Sequence, residues 1–383
     1  MSRKVRVGLA GLGSWAQRGI LPHTFQDDAR EKIEAVAVCD PVPGRAKATA
    51  EKWNWREAYA DYYDMLAHAD VEAVLIGSPI PFHYEQAKAA LEAGKHVYVQ
   101  KSMTTTLAEA DDLVRTARSK RLKLCASPGE MIRPPWPQIK KLVQEGVLGK
   151  VYWAIAGMQG SGHEYEAFRR EDDVLSSVDP TWYYKKGGGP VYDMTVYCLH
   201  ELTGILGPVK RVSAMSGIGL PIRTWKDKSI EVEMDDNTLI SLDFGNSLFG
   251  FAFGANCRGG PLPRLAIFGA DGTVSVGRPA RTEPGSGQVG RPPATGFPAV
   301  VSGKRVEGGE KELELPEMPY RVGPHREIGE AHGYADVMHL IDCILEDKDP
   351  IPSGEHARHV VEIIEKAYLS AREGRTLELT TTL

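Results

Sequence analysis

Two groups of residues have types and spacing that can carry chemistry. The first is Gly11-Leu12-Gly13-Ser14-Trp15-Ala16, directly after an apolar run from Val5 to Ala10. A second apolar run, Ile33 to Cys39, ends on Asp40. Gly11 permits a tight turn off a strand. Gly13 leaves the backbone bare for a pyrophosphate, and Ala16 is small enough for the next helix to pack on a sheet. The free N–H groups and partial positive charge at that helix start suit phosphates, with Ser14, Trp15 and Gln17 beside them. Asp40 lies where a carboxylate takes a ribose 2′-hydroxyl. This pattern predicts a nicotinamide dinucleotide site. The acid would repel a 2′-phosphate, so NAD is expected over NADP; Arg45, close by, weakens that preference.

The second group is Asp193, Tyr197 and His200, spaced i, i+4, i+7. On an α-helix these share one face. Carboxylate, phenol and imidazole together suit a polyhydroxylated substrate: Asp193 accepts a hydroxyl, Tyr197 exchanges a proton with the reacting oxygen, and His200 binds a further hydroxyl or serves as another base. A buried structural network is the competing reading. Trp182, Tyr183, Tyr184 and Lys185 precede the glycines that open this helix. They could stack on a sugar ring and bind its hydroxyls, or pack a core. His163 and Arg169 lie in a polar stretch that could form a substrate loop.

The elements that must position these groups fall into two textures. From Val5 to about Ala126, strands alternate with helices: Ala73–Gly77, His96–Gln100 and Lys123–Ala126 read as strands, Phe82–Ala93 and Leu107–Ser119 as helices. That predicts a doubly wound parallel sheet, with ligands at the carboxyl ends of its strands. The ends are Gly11–Gly13, Asp40, Gly77-Ser78-Pro79 and Gln100-Lys101-Ser102. After a helix over Pro134–Glu145 the strands are closely spaced: Val151–Met158, Val209–Ser216, Ile230–Met234, Thr238–Phe244, Leu248–Cys257 and Leu265–Phe268. These predict a large, mostly antiparallel open sheet in an α+β domain, interrupted by a helix over about Pro190–Leu206. Gly277–Gly309, rich in Gly and Pro, reads as an irregular excursion. Helices are expected over Glu330–Leu345 and Glu355–Glu373. The expected domains are 1–127 and 128–383. One face of the antiparallel sheet needs a cover, so a homodimer or homotetramer is expected.

Bulk properties exclude several classes. The chain has 383 residues, 42% hydrophobic and 25% charged, with a net charge of −5. That balance does not suit nucleic acid or an anionic membrane. The five cysteines are scattered with no C-x-x-C pair, which predicts neither a disulfide framework nor a metal site. No apolar stretch is long enough to span a bilayer. The first strand starts within a few residues of Met1, so no signal peptide is expected and the cytoplasm is the default compartment.

Taken together, VGLAGLGSWA, ADVEAVLIGSPIPFHYEQAKAALEAGKHVYVQKSM, GGGPVYDMTVYCLHELTGILG and SGEHARHVVEIIEKAYLSAREG resemble the Gfo/Idh/MocA family of NAD(P)-dependent oxidoreductases. The resemblance spans nearly the whole chain. It implies a Rossmann nucleotide-binding domain, an open-sheet substrate domain, and hydride transfer with sugars, polyols or related alcohols and ketones. It makes Lys101 the general acid/base, also touching cofactor and substrate, and places Ser78, Pro79, His83 and Gln100 on the cofactor side. An ordinary lysine is too basic to take a proton at neutral pH, but burial and a cationic nicotinamide ring each favour the neutral amine. Two departures stand out. Gln100-Lys101-Ser102 replaces the family's Glu-Lys-Pro, whose Lys–Pro peptide is often cis; before Ser102 a trans bond is expected. Tyr197 occupies the position of the family's histidine. Two other readings use the same residues: a redox-neutral NAD-dependent glycosidase working by transient oxidation and elimination, and a non-catalytic NAD-binding sensor.

Overall fold

Short runs rich in Val, Ile, Leu and Ala, largely buried, become all but one of the parallel strands around the Gly11–Gly13 turn; the exception, Glu57–Tyr59, is partly exposed. The strands are β1 (Val5–Ala10), β2 (Ile33–Cys39), β3 (Glu57–Tyr59), β4 (Ala73–Ile76), β5 (His96–Val99) and β6 (Leu124–Ala126). All pair in parallel, in the order β3-β2-β1-β4-β5-β6. The strand order reverses between β1 and β4, and in such sheets the crevice at that point takes the ligand. The short edge strand β3 was not evident from the sequence. The computed structural model describes residues 3–257, 263–277 and 297–383.

The chain divides into two units, each assembled from separate stretches. The first holds Met1–Gly129, Glu166–Trp182 and Tyr320–Arg358; the second holds Glu130–Tyr165, Tyr183–Pro319 and His359–Leu383. Two stretches beyond residue 127 therefore pack in the first unit. The helix Ala331–Glu346 is one reason. Its Tyr334, Val337, Leu340 and Ile341 share a core with Val5, Val7 and Leu9 of β1, covering apolar surface that β1 cannot bury alone.

The second unit is built on a nine-stranded sheet. Its strands are β7 (Val151–Gln159), β8 (Arg211–Gly217), β11 (Asn237–Gly245), β12 (Leu248–Ala255), β13 (Leu265–Gly269), β14 (Gly272–Val276), β15 (Ala299–Gly303), β16 (Glu310–Glu312) and β17 (Leu377–Glu378), while β9 (Ile222–Trp225) and β10 (Lys228–Glu231) form a separate hairpin. The order is β16-β15-β14-β13-β7-β12-β11-β8-β17. Every pair is antiparallel except β12 with β7, as the mostly antiparallel reading requires. β15 corrects the irregular reading of Gly277–Gly309: Val300 and Val301 pair with Ser275 and Val274. Residues 278–296 of that stretch lie outside the described residues. The helix Val196–Leu206 packs on β7 and β12, with Leu199, Leu202 and Ile205 buried. Leu239, Phe249 and Phe251 remain exposed on strands whose alternate positions are buried, and Met215 is exposed on the neighbouring β8. Among the described residues no helix is long and apolar enough to cross a membrane.

Candidate active site

In the first unit the turn after β1 has the geometry its glycines suggest. Gly11 has φ +85°, and a Cβ there would lie 2.4 Å from the Ser78 backbone nitrogen. Both conformation and space therefore require glycine. Its N–H donates to the Cys39 carbonyl at 2.9 Å, and the Gly77 N–H donates to Ala10 at 2.8 Å, stitching the ends of β1, β2 and β4 together. Residues 14–24 then run helically, with π geometry over Ala16–Ile20. Ala16 is fully buried. Ser14 accepts from Arg18 Nε at 2.9 Å, and Gln17 donates to Thr49 Oγ1 at 2.8 Å. Trp15 packs in a slot cut by two glycines. Its ring stacks on Tyr98 at 5.7 Å, and a Cβ at Gly77 or Gly333 would overlap it.

Asp40 is aimed at the turn. Its Oδ2 accepts the Leu12 N–H at 2.8 Å, and its Oδ1 accepts the Val42 N–H at 3.0 Å. Arg45 lies 3.4 Å from Oδ1 and is itself only 6% exposed. Its other nitrogens donate to the carbonyls of Val174 at 2.8 Å and Ser177 at 3.0 Å. The signal for that second partnership is absent from the sequence, because residue 174 is far along the chain.

Lys101 follows β5, and its N–H donates to Gln100 Oε1 at 2.8 Å. The Lys101–Ser102 peptide is cis, where the sequence predicts trans. The expectation weighed a local dipeptide preference; Ser102 is buried here and its carbonyl is engaged by a distant side chain. That side chain is His83. Its Nδ1 lies 2.7 Å from the Ser102 carbonyl and its Nε2 lies 2.8 Å from the Ser78 carbonyl. The ring sits between the loops leaving β4 and β5 and, when neutral, donates to one of these two carbonyls, while Ser78 Oγ donates to Gln86 and Pro79 leads the 3₁₀ turn Ile80–Phe82.

Burial holds the His83 imidazole down to about 4, against an ordinary 6.5. The unfolded chain therefore takes up this proton at higher pH than the folded chain does. Stability is full above pH 6.5 and falls as pH drops towards 4, by on the order of 3 kcal/mol. His83→Asn should flatten this part of the profile in urea titrations at pH 7 and pH 4.5. A variant with the wild-type slope would contradict the assignment.

In the second unit the Asp193 helix departs from the predicted α geometry. Val191–Thr195 is a π-helix, continuous with the α-helix Val196–Leu206. A π turn takes more residues than an α turn, so the i, i+4, i+7 spacing no longer defines one face. Asp193, 7% exposed, has Oδ2 at 3.0 Å from His163 Nε2. The His163 ring meets Tyr183 edge-on at 4.4 Å, and the Tyr183 hydroxyl donates to Asn256 Oδ1 at 2.8 Å. Tyr197 instead lies under Arg264, whose Cζ is 5.8 Å from the ring. His200 is buried on the next turn. Trp182 and Arg169 belong to the first unit, and Tyr183 to the second. Arg169 donates to Glu166 at 2.7 Å.

The sequence reading missed the group that holds the His163 loop. Glu164 is fully buried and accepts from the Tyr184 hydroxyl and from Arg223 Nη1, the latter at 3.2 Å. Arg223 Nη2 reaches Asp236 at 2.9 Å. Burial raises the Glu164 carboxyl above its usual range, opposed by Arg223. The only sequence signal is the alternation in β9 that turns Arg223 inward. Among the described residues no group of three His, Cys, Asp or Glu side chains is placed to hold a metal ion.

Comparison with known proteins agrees with both halves. Residues 5–127 match the oxidoreductase family model with an NAD-binding Rossmann fold, and residues 136–275 match the Gfo/Idh/MocA C-terminal domain. D-Xylose dehydrogenase of Paenarthrobacter nicotinovorans is 29% identical over 242 residues, 60% of this chain and 60% of the relative. D-Glucoside 3-dehydrogenase of Escherichia coli K12 is 30% identical over 223 residues, 56% of this chain and 58% of the relative. The chain thus spans less than two thirds of the length of these curated relatives. Levoglucosan dehydrogenase in complex with NADH shares the fold, with TM-score 0.78, 18% identity, and coverage of 99% of this chain and all of the other. A glycine turn with positive φ, the carboxylate aimed at it, and two consecutive family models that together match well over half of the chain lead to one conclusion: the chain belongs to the Gfo/Idh/MocA oxidoreductase family.

Proposed function

We propose that the protein is an NAD-dependent oxidoreductase acting between a secondary alcohol and the corresponding ketone of a sugar, polyol or glycoside. The observation that carries this reading is the Gly11 turn with Asp40 held against it. A nicotinamide dinucleotide bound there would accept or return the hydride. Gly11, Gly13 and the start of the following helix would receive its phosphates, and Asp40 its ribose. Two relatives whose names give a sugar or glycoside dehydrogenase support the substrate class. A relative named as an NADP(+) enzyme keeps the second nucleotide in the test. The Asp40 carboxylate, which disfavours a 2′-phosphate, supports NAD.

Lys101 would take the hydroxyl proton in oxidation and return it in reduction. Gln100 and His83 hold the backbone on either side of it. Asp193, oriented by His163, would accept a substrate hydroxyl. The decisive experiment is calorimetry of nucleotide-free protein with NAD and NADP, followed by absorbance at the NADH band over sugars, inositols, sugar acids and glycosides. Uptake of neither nucleotide would end the proposal.

A second copy of the chain would cover the open face of the nine-stranded sheet. Met215, Leu239, Phe249 and Phe251 place exposed apolar side chains on adjacent strands, a pattern that marks interaction sites. Light scattering should return at least twice the 42.0 kDa chain mass. Phe251→Lys should weaken that association about tenfold or more, the cost of burying an unpaired charge. A monomeric wild type would exclude this interface.

A further inference from the structure

The stretch Glu166–Trp182 lies between β7 and the Asp193 helix in sequence, yet it belongs to the first unit. It is attached at two points that flank the nucleotide turn. At one, Arg45 donates to the carbonyls of Val174 and Ser177 while also reaching Asp40. At the other, the Arg18 guanidinium lies over the Phe168 ring at 5.9 Å, and the same Arg18 donates to Ser14 within the turn. Between these points Val178 crosses Gly13: its Cγ1 is 3.6 Å from where a Cβ on Gly13 would sit. That is the side from which a pyrophosphate approaches the second glycine of such a turn. The stretch has internal order of its own, since Asp173 caps it through the Leu175, Ser176 and Ser177 N–H groups. Ser176, 4% exposed, keeps a hydroxyl that finds no partner among the described residues. A buried orphan hydroxyl costs free energy unless something satisfies it.

We infer that Glu166–Trp182 is a strap closed over the dinucleotide turn and that Arg45 is its latch, a positioning residue that governs how fast the nucleotide enters and leaves. The inference rests on the cofactor reading above. A nucleotide lying against Gly13 would share that approach with Val178, so its passage would require the strap to move. Arg45 ties that movement to the ribose acid: the guanidinium that holds the strap is the one beside Asp40. A latch differs from a binding contact in its kinetics. Weakening a contact raises the dissociation rate alone. Weakening a latch populates the open form and speeds entry and exit together.

The test is stopped-flow NADH fluorescence on the full chain, with association followed directly and dissociation followed by chase with excess NAD. Arg45→Ala should raise both rate constants by about tenfold, equivalent to about 1.4 kcal/mol of opening free energy. Arg45→Lys, which keeps the charge but loses the fork, should fall between the two. Val178→Ala leaves the latch intact and thins the strap over Gly13; it should raise both rates about threefold with little change in their ratio. It also carries the test if the buried Arg45→Ala change prevents folding. Unchanged rates in Val178→Ala and Arg45→Lys, or a change confined to dissociation, would overturn the strap while leaving the cofactor reading intact. Absence of any NADH signal with the wild type would overturn the cofactor reading itself, and the strap with it.

Discussion

Lys101→Ala should lower kcat by about 10²–10⁴, roughly 3–5 kcal/mol of barrier, on whichever substrate the absorbance screen returns. The loss follows from chemistry and placement. Oxidising an alcohol leaves a hydroxyl proton that water accepts poorly at neutral pH, and a positioned amine removes it in the same step. Lys101 sits at the carboxyl end of β5, next to the strand-order reversal where ligands bind. Its backbone is fixed by the Gln100 side chain on one side and through His83 on the other. The nucleotide contacts expected at Gly11, Gly13 and Asp40 do not involve the lysine amine. NAD affinity should therefore move by less than about tenfold while turnover collapses. Parallel calorimetry and single-turnover kinetics separate the two quantities. An alanine variant with wild-type turnover would remove Lys101 from the proton path.

The largest expected loss of stability comes from the buried charges packed against Tyr197. Glu201 is fully buried and receives a two-pronged contact from Arg264, including Nε to Oε1 at 3.0 Å. Arg264 is enclosed by the rings of Trp136, Tyr197 and Phe297. Arg133 and Glu130 form a second buried pair at 2.6 Å and bear electrostatically on Glu201. Burial pushes the Glu201 carboxyl upward, and Arg264 pulls against it and keeps the pair ionised. Arg264→Met leaves that carboxylate without its partner and should cost about 3–5 kcal/mol.

The sign of the pH dependence follows from the same geometry. Without Arg264 the folded-state value rises further, while the unfolded value stays near the ordinary 4.5. The folded chain then holds a proton that the unfolded chain releases, so stability declines as pH rises above 4.5. Urea titrations should find the variant's own stability higher near pH 5 than near pH 8. Replacing both partners with methionine should recover much of the loss, since a filled apolar site needs no charge balance. A single variant losing less than about 1 kcal/mol at both pH values would mean that the pair does not bear on stability.

The nucleotide turn was legible because its requirements are local. A positive φ at Gly11 and a carboxylate ending the next strand both lie within the β1-to-β2 unit, and each restricts residue type directly. The mostly antiparallel sheet was legible for a similar reason: alternation and hairpin spacing are set over a few residues. The Asp193 face was less so. Its spacing assumed α geometry, and the π turn over Val191–Thr195 sends Asp193 to His163 while Tyr197 meets Arg264. A single π turn leaves no signature in hydrophobic period, because it changes the phase only once.

By itself the amino-acid sequence determined the two sheet types and the glycine turn, since short-range sterics and periodicity decide these, and its motifs carried the resemblance to the family. Tertiary structure alone decided the rest. It returned the helix Ala331–Glu346 to the core of β1, laid Glu166–Trp182 over Gly13, gave Arg45 the carbonyls of Val174 and Ser177, and set His83 between the Ser78 and Ser102 loops. Each joins groups tens or hundreds of residues apart. Such partners are chosen by which buried surfaces and polar atoms remain unsatisfied once the local elements have formed, and that choice exists only in the folded chain.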